Sequence, residues 1–211
     1  MTLYGTPPVD LGLVDLSPKE MMFWMYCPIK EPGQYGERIP SNLRQFQPIV
    51  EAVFRDLQNI AGNVSLWLDS YVYVTAKTLW VCKESPGNRP GWHSDGFMTE
   101  DLNYVWSDRN GTEFWQPADL IEFTQDHHAS LAEMEVASSG PIVTYPDKHL
   151  LRLDEAVIHR VAEQTPGVRT FVKISISESR YNLEGNSINH AFPSWKYVPR
   201  SVERNHTTAE A

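Results

Sequence analysis

The segment Gly91-Trp92-His93-Ser94-Asp95-Gly96-Phe97 sets an imidazole and a carboxylate two residues apart, directly after the Pro/Gly-rich run 85–91. An imidazole nitrogen and a carboxylate oxygen are both ordinary ligands for a divalent transition metal, and two of them on one turn can reach the same cation. A His-x-Asp pair alone is also a common polar loop, so a third ligand must come from elsewhere. His159, in Ala156-Val157-Ile158-His159-Arg160-Val161, is the best placed. Alternate residues of a strand share a face, so Val157, His159 and Val161 point one way and Ala156, Ile158 and Arg160 the other. That sets an imidazole on an apolar wall, where a metal ligand is shielded from bulk water.

Arg169 follows ten residues after His159 and opens the strand pattern 168–177, with Glu163-Gln164-Thr165-Pro166-Gly167 as the turn between them. Arg169, Phe171, Lys173, Ser175 and Ser177 then share one face, while Thr170, Val172, Ile174 and Ile176 share the other and pack into a core. A guanidinium beside His159 offers a planar fork of donors to a small dicarboxylate. Lys173, on the same face, is the alternative partner for such an anion. Each residue also has a plain structural reading. His159 fits a core histidine bonded to a carbonyl, and Arg169 fits a surface cation paired with Glu163 or Asp154. His127 and His128 are adjacent, so they point apart on a helix, and they read as surface residues of a helix start. His149 is a rival ligand with Arg160 eleven residues on, but only a two-residue turn would separate their strands.

Taken together, His93-x-Asp95, His159 and Arg169 resemble the iron(II)- and 2-oxoglutarate-dependent dioxygenases over roughly residues 65–177. The resemblance implies a mainly β, α+β fold: a double-stranded β-helix of the jelly-roll or cupin kind with an N-terminal support helix. It implies that His93, Asp95 and His159 form a facial triad for iron, and that Arg169 pairs the distal carboxylate of 2-oxoglutarate. It further implies hydroxylation or a related oxidation with O2, releasing succinate and CO2, because Asp95 is retained where halogenating relatives lack the carboxylate. Some members carry a serine two residues after the arginine; here that position is Phe171. A second co-substrate contact from an early strand falls to Tyr73 or Thr75. Trp92, Phe97, Tyr104 and Trp106 are expected to line a substrate pocket, with Arg89 or Arg109 pairing an anionic group. Two rival classes stay open: a cupin-type metalloenzyme without 2-oxoglutarate, and a non-catalytic β-helix binding module.

The elements that must position these residues are legible in outline. Residues 1–45 are broken by Pro7, Pro8, Pro18, Pro28, Pro32 and Pro40 and read as an irregular extension. From Pro48 to Ala61 the apolar residues Ile49, Val50, Val53, Phe54, Leu57 and Ile60 recur at helical spacing, with Gly62 as the stop. After it the texture is β. Strand candidates are 65–75, 78–83, 102–106, 112–116, 119–124, 141–145, 149–153, 156–161 and 168–177, with a short surface helix at 127–138. Many short strands at regular spacing predict an antiparallel sandwich or barrel in one domain. Residues 178–211 form a C-terminal extension with a frayed tail.

Composition narrows the classes of function. The chain has 211 residues, 41% hydrophobic and 21% charged, enough to bury a core. Its net charge is −9, which argues against broad binding to a nucleic-acid backbone and favours a small-molecule substrate. Two cysteines make no disulfide framework. The start has no basic region before an apolar run, and Met21–Ile29 is too short to span a bilayer, so a cytoplasmic protein without membrane partners is expected. The sequons at Asn63, Asn110 and Asn205 read as chance.

Overall fold

The computed structural model describes residues 2–61 and 65–201. Among them ten strands run in order: β1 Val9–Leu13, β2 Met22–Lys30, β3 Tyr71–Val81, β4 His93–Ser94, β5 Leu102–Ser107, β6 Thr112–Trp115, β7 Ile142–Thr144, β8 His149–Leu153, β9 Ile158–Val161 and β10 Gly167–Ser177. Three α-helices accompany them: α1 Gln47–Ala61, α2 Ser65–Asp69 and α3 His127–Ala137.

The strands form two antiparallel sheets. The larger has the order β1-β8-β5-β10-β3-β2 and the smaller β4-β9-β6-β7. From β3 onward the chain alternates between them: β3 in the large sheet, β4 in the small, β5 large, β6 and β7 small, β8 large, β9 small, β10 large. Eight strands wound in this way make the double-stranded β-helix, a jelly roll. β10 is its central plank. It pairs with β3 along its whole length, Gly167 opposite Val81 through Ser177 opposite Tyr71, and with β5 on its other edge.

Strand alternation divides the large sheet into two faces. On the outer face Val72, Val74, Ala76, Tyr104, Trp106, Val172, Ile174 and Ile176 are buried against Ile49, Val50, Val53 and Leu57 of α1. Each such fully buried aliphatic side chain contributes roughly 2 kcal/mol, so the apolar stripe of α1 gives the sheet its support helix. A polar pin fixes their register. Asp56 of α1 accepts from Tyr104 Oη at 2.8 Å and from Arg152 Nη1 at 2.8 Å. The inner face carries Thr75, Val105, Phe171 and Lys173 towards the second sheet.

Several expectations are corrected. The helix begins at Gln47, and its stop at Gly62 lies outside the described residues, as do the Asn63 and Asn205 sequons and residues 202–211 of the tail. Residues 65–69, expected as strand, form α2, because Trp67 is buried against α1 with its ring 5.1 Å from Phe54. The rest of the 65–75 candidate and most of the 78–83 candidate fuse into the single strand β3, Tyr71–Val81. Residues 119–124 form no strand beyond one bridge from Ile121 to Tyr4. Within 1–45, expected as irregular, β1 and β2 extend the large sheet, and Cys27 and Ile29 are buried in the main core. Pro28 is tolerated because β2 is an edge strand, where a missing donor faces no partner. No described helix is long and apolar enough to cross a membrane.

Candidate metal centre

β4 and β9 are short antiparallel neighbours in which His93 lies directly opposite His159. Cross-strand pairing therefore does what sequence distance conceals, setting the imidazole centroids 4.5 Å apart. Asp95 follows at the turn after β4, with Gly96 at φ +80°, a conformation that favours glycine. Ligand atoms of His93, Asp95 and His159 all lie within 4.8 Å of one another, and Asp95 Oδ2 is 3.7 Å from His159 Nε2.

The surroundings present the correct atoms of each ring. His93 Nδ1 lies 2.9 Å from the Gly91 carbonyl, and His159 Nδ1 lies 3.2 Å from the Val157 carbonyl. A carbonyl only accepts, so each Nδ1 carries a proton and Nε2 is the nitrogen of each ring left to face a cation. Burial, reinforced by the neighbouring His159, pushes His93 down to about 4, so its ring is neutral at physiological pH. Burial opposes ionisation of Asp95, but the Lys173 ammonium and the two imidazoles outweigh it and hold its carboxyl well below the usual range. Two imidazoles and one carboxylate, grouped on one side of an open cavity, fit a three-ligand site for a divalent transition metal. The turn is itself braced: Trp92 N–H donates to Glu135 of α3 at 3.0 Å, and Ser94 Oγ donates to the Glu155 carbonyl.

Lys173 is the close cation. Its Nζ donates to Asp95 Oδ2 at 2.9 Å and to Tyr26 Oη at 3.2 Å. Burial disfavours its charge, yet Asp95 and Tyr26 hold its proton more tightly than usual. Arg169 is the remote cation on the same face of β10. It is 2% exposed, its Nε donates to the Arg109 carbonyl at 3.1 Å, and its carbon Cζ lies 5.3 Å from the Phe171 ring centroid. Its Nη2 is buried without a hydrogen-bond partner. A buried, unpaired guanidinium nitrogen is costly unless an anion meets it, so this orphan fits the carboxylate of a bound acid. Burial lowers Arg169 to about 10, against the opposing pull of Asp108 and Asp147, which leaves it cationic at neutral pH.

A cavity of about 700 Å³ opens over the three ligands. Of the residues expected to line it, Thr75, Arg89 and Phe97 do so. The other aromatics serve elsewhere. Tyr104 and Trp106 face the α1 core, because the inward positions of β5 are Asn103 and Val105; Trp106 Nε1 donates to the Val14 and Lys148 carbonyls. Trp92 is buried in a second core under Arg160, whose Cζ lies 4.4 Å from its ring. Tyr73 is buried beside Tyr181, ring centroids 4.7 Å apart, and donates to the Ser179 carbonyl. Arg109 reaches Thr165 and supports Arg169 through its backbone. His149 pairs with Asp10, away from the cavity, while His127, at the exposed start of α3, borders the cavity mouth. Residues the sequence did not single out complete the wall: Met25, Tyr26, Lys77, Asp101 and Tyr181. The one available signal was the apolar run Met21–Ile29, which marks a buried segment but shows no alternation from which the inward residues could be picked.

No protein-family model matches the chain, and no curated protein matches it. Among solved structures it is similar to the rice dioxygenase for auxin oxidation, at 16% identity and TM-score 0.37 over 64% of this chain and 47% of that one. It is also similar to a C-terminally truncated Neurospora crassa protein solved in apo form, at 12% identity and TM-score 0.35 over 69% of this chain and 58% of that one. The chain spans about half the length of these structures. Both likenesses are distant.

Proposed function

We propose that the chain is an iron(II)- and 2-oxoglutarate-dependent dioxygenase that hydroxylates or otherwise oxidises a small molecule. The observation that carries this reading is the convergence of His93, Asp95 and His159, with Lys173 and Arg169 on one face of the same strand. When bound, iron(II) and 2-oxoglutarate supply the oxidation: dioxygen is consumed, the co-substrate leaves as succinate and carbon dioxide, and the remaining oxygen oxidises the substrate.

The chain's own residues supply binding and order. His93, Asp95 and His159 would hold the metal, and all three border the cavity. Lys173 orients the Asp95 carboxylate. Arg169 stands four residues from Lys173, and at about 3.3 Å per strand residue their Cα atoms are roughly 13 Å apart. Arg169 does not border the cavity, so a five-carbon diacid would bring its distal carboxylate to the unpaired guanidinium nitrogen only after a shift of the neighbouring Phe171 ring. Val105, Thr112, Val161 and Phe171 also line the cavity, and three of them are apolar. Met25, Tyr26, Phe97, Arg89 and His127 form the wall left for the substrate, an amino-acid derivative, other metabolite or nucleobase. The net charge of −9 supports a metabolite over a nucleic-acid strand. The two free thiols suit a reducing compartment.

A second reading, a cupin-type metalloenzyme that does not use 2-oxoglutarate, draws on Phe171. Its ring borders the cavity and Arg169 does not, so the guanidinium lies behind it. One experiment separates the two. Protein loaded anaerobically with iron(II) is given ascorbate, 2-oxoglutarate and air, and succinate is measured. Succinate release that disappears in Arg169→Ala supports the dioxygenase. No succinate, together with no calorimetric binding of 2-oxoglutarate to the metal-loaded protein, sinks it in favour of the second reading.

A further inference from the structure

β2 lies outside the eight-strand barrel, yet it sends a side chain to the metal centre. Trp24 is opposite Ala76 and Cys27 is opposite Val74, so three steps on β2 span two on β3. The extra residue is a bulge, a device that re-aims side chains beside functional sites. Within it Tyr26 has φ 45°, a left-handed conformation that a tyrosine adopts only when its surroundings impose it. Three hydrogen bonds do so here. Met25 N–H donates to Ser187 Oγ at 2.8 Å, Ser187 N–H donates to the Met25 carbonyl at 2.7 Å, and Tyr26 N–H donates to Thr75 Oγ1 at 3.0 Å. The Tyr26 ring then stands edge-on to Tyr181, centroids 5.3 Å apart, with its hydroxyl at Lys173.

We infer that Tyr26 is a positioning residue for the metal centre, acting through Lys173 on Asp95. The inference rests on the metal-binding part of the proposed function and not on the oxidation. The Lys173 ammonium sits between two acceptors, Asp95 Oδ2 and Tyr26 Oη. With the phenol sharing it, the ammonium orients the carboxylate without monopolising it, so a cation can still claim Asp95. Without the phenol, the ammonium has fewer acceptors and competes harder for Asp95. Loss of the hydroxyl therefore weakens metal binding while leaving all three ligands in place.

The test is a cobalt(II) titration of the full chain, followed by visible absorption and chelator competition, with thermal melting as the check on folding. Tyr26→Phe should fold normally and bind cobalt about fivefold more weakly, the equivalent of one ordinary hydrogen bond. In a Lys173→Met background the same change should have no effect, because the intermediary is gone. Tyr26→Gly, which suits the left-handed backbone, should match or exceed the loss in Tyr26→Phe, and this comparison stands even if Lys173→Met does not fold. Tyr26→Phe with wild-type affinity overturns the role of Tyr26 and leaves the metal centre intact. An equal loss in both backgrounds overturns the route through Lys173. Wild-type protein that binds no cobalt overturns the metal centre itself, a result distinct from either.

Discussion

His93 and His159 face each other across a two-residue strand pairing, 66 positions apart in sequence, with each Nδ1 on a backbone carbonyl. The pairing makes the two imidazoles one unit, so loss of either should disable the whole. His93→Ala and His159→Ala are each expected to lower iron(II) or cobalt(II) affinity by more than about 100-fold, beyond the range for outer-shell partners. Asp95→Ala should lose less, because water replaces a carboxylate more readily than an imidazole. Metal content after equilibrium dialysis checks this, and a variant with wild-type metal content removes that residue from the ligand set.

Arg169 should govern the acid and not the metal. Truncating a buried, hydrogen-bonded charge pair costs about 2–5 kcal/mol, so Arg169→Ala is expected to raise the 2-oxoglutarate dissociation constant by at least about 30-fold. Cobalt affinity should stay unchanged. Calorimetry on metal-loaded protein measures both, and an unaltered dissociation constant would transfer the anchor to Lys173.

The pin between α1 and the large sheet makes a stability prediction independent of function. Asp56→Ala leaves Tyr104 and Arg152 without their shared acceptor and should cost about 2 kcal/mol. At this chain length that is a fall of roughly 4–8 °C in Tm. Tyr104→Phe should cost about half as much, and cobalt binding should survive both. A Tm unchanged in Asp56→Ala would show that α1 is held by its apolar stripe alone.

The three phenols whose protons are held most tightly, Tyr73, Tyr104 and Tyr181, limit the fold at alkaline pH. Burial raises Tyr73, Tyr104 and Tyr181 above the ordinary value of 10.0, with hydrogen-bonded Asp56 adding to it at Tyr104 and Asp101 at Tyr181. Above pH 10 the unfolded chain has released protons that the folded chain still holds, so stability falls as pH rises from there. In a near-ultraviolet titration these three of the nine tyrosines should ionise only as the chain unfolds. Tyr73→Phe should move the alkaline midpoint upward; ionisation of all nine before any loss of structure would refute the assignment.

The site was more legible in sequence than its walls. His93, Asp95 and His159 are polar exceptions in a β-rich context, and strand parity alone separates cavity-facing Phe171 and Lys173 from core-facing Val172 and Ile174. Parity also had the means to exclude Tyr104 and Trp106, which share a face with the core and not with Val105. The misses have other causes. Ser65–Asp69 is as apolar and aromatic as a strand and becomes helix only through tertiary packing of Trp67. Tyr26 was hidden because a bulge shifts the alternation on which strand reading depends.

The bulge in β2 is held from the far end of the chain, by Ser187, with Tyr181 standing against its ring and Asn189 bonded to the Pro28 carbonyl. The two flanks of the barrel thus meet beside the cavity and form a joint that neither could build by itself. Substitutions along this seam give evolution, or an engineer, a means of reshaping what enters while the inner strands keep hold of the metal. A truncation at residue 178 would spare every described strand yet dismantle that doorway.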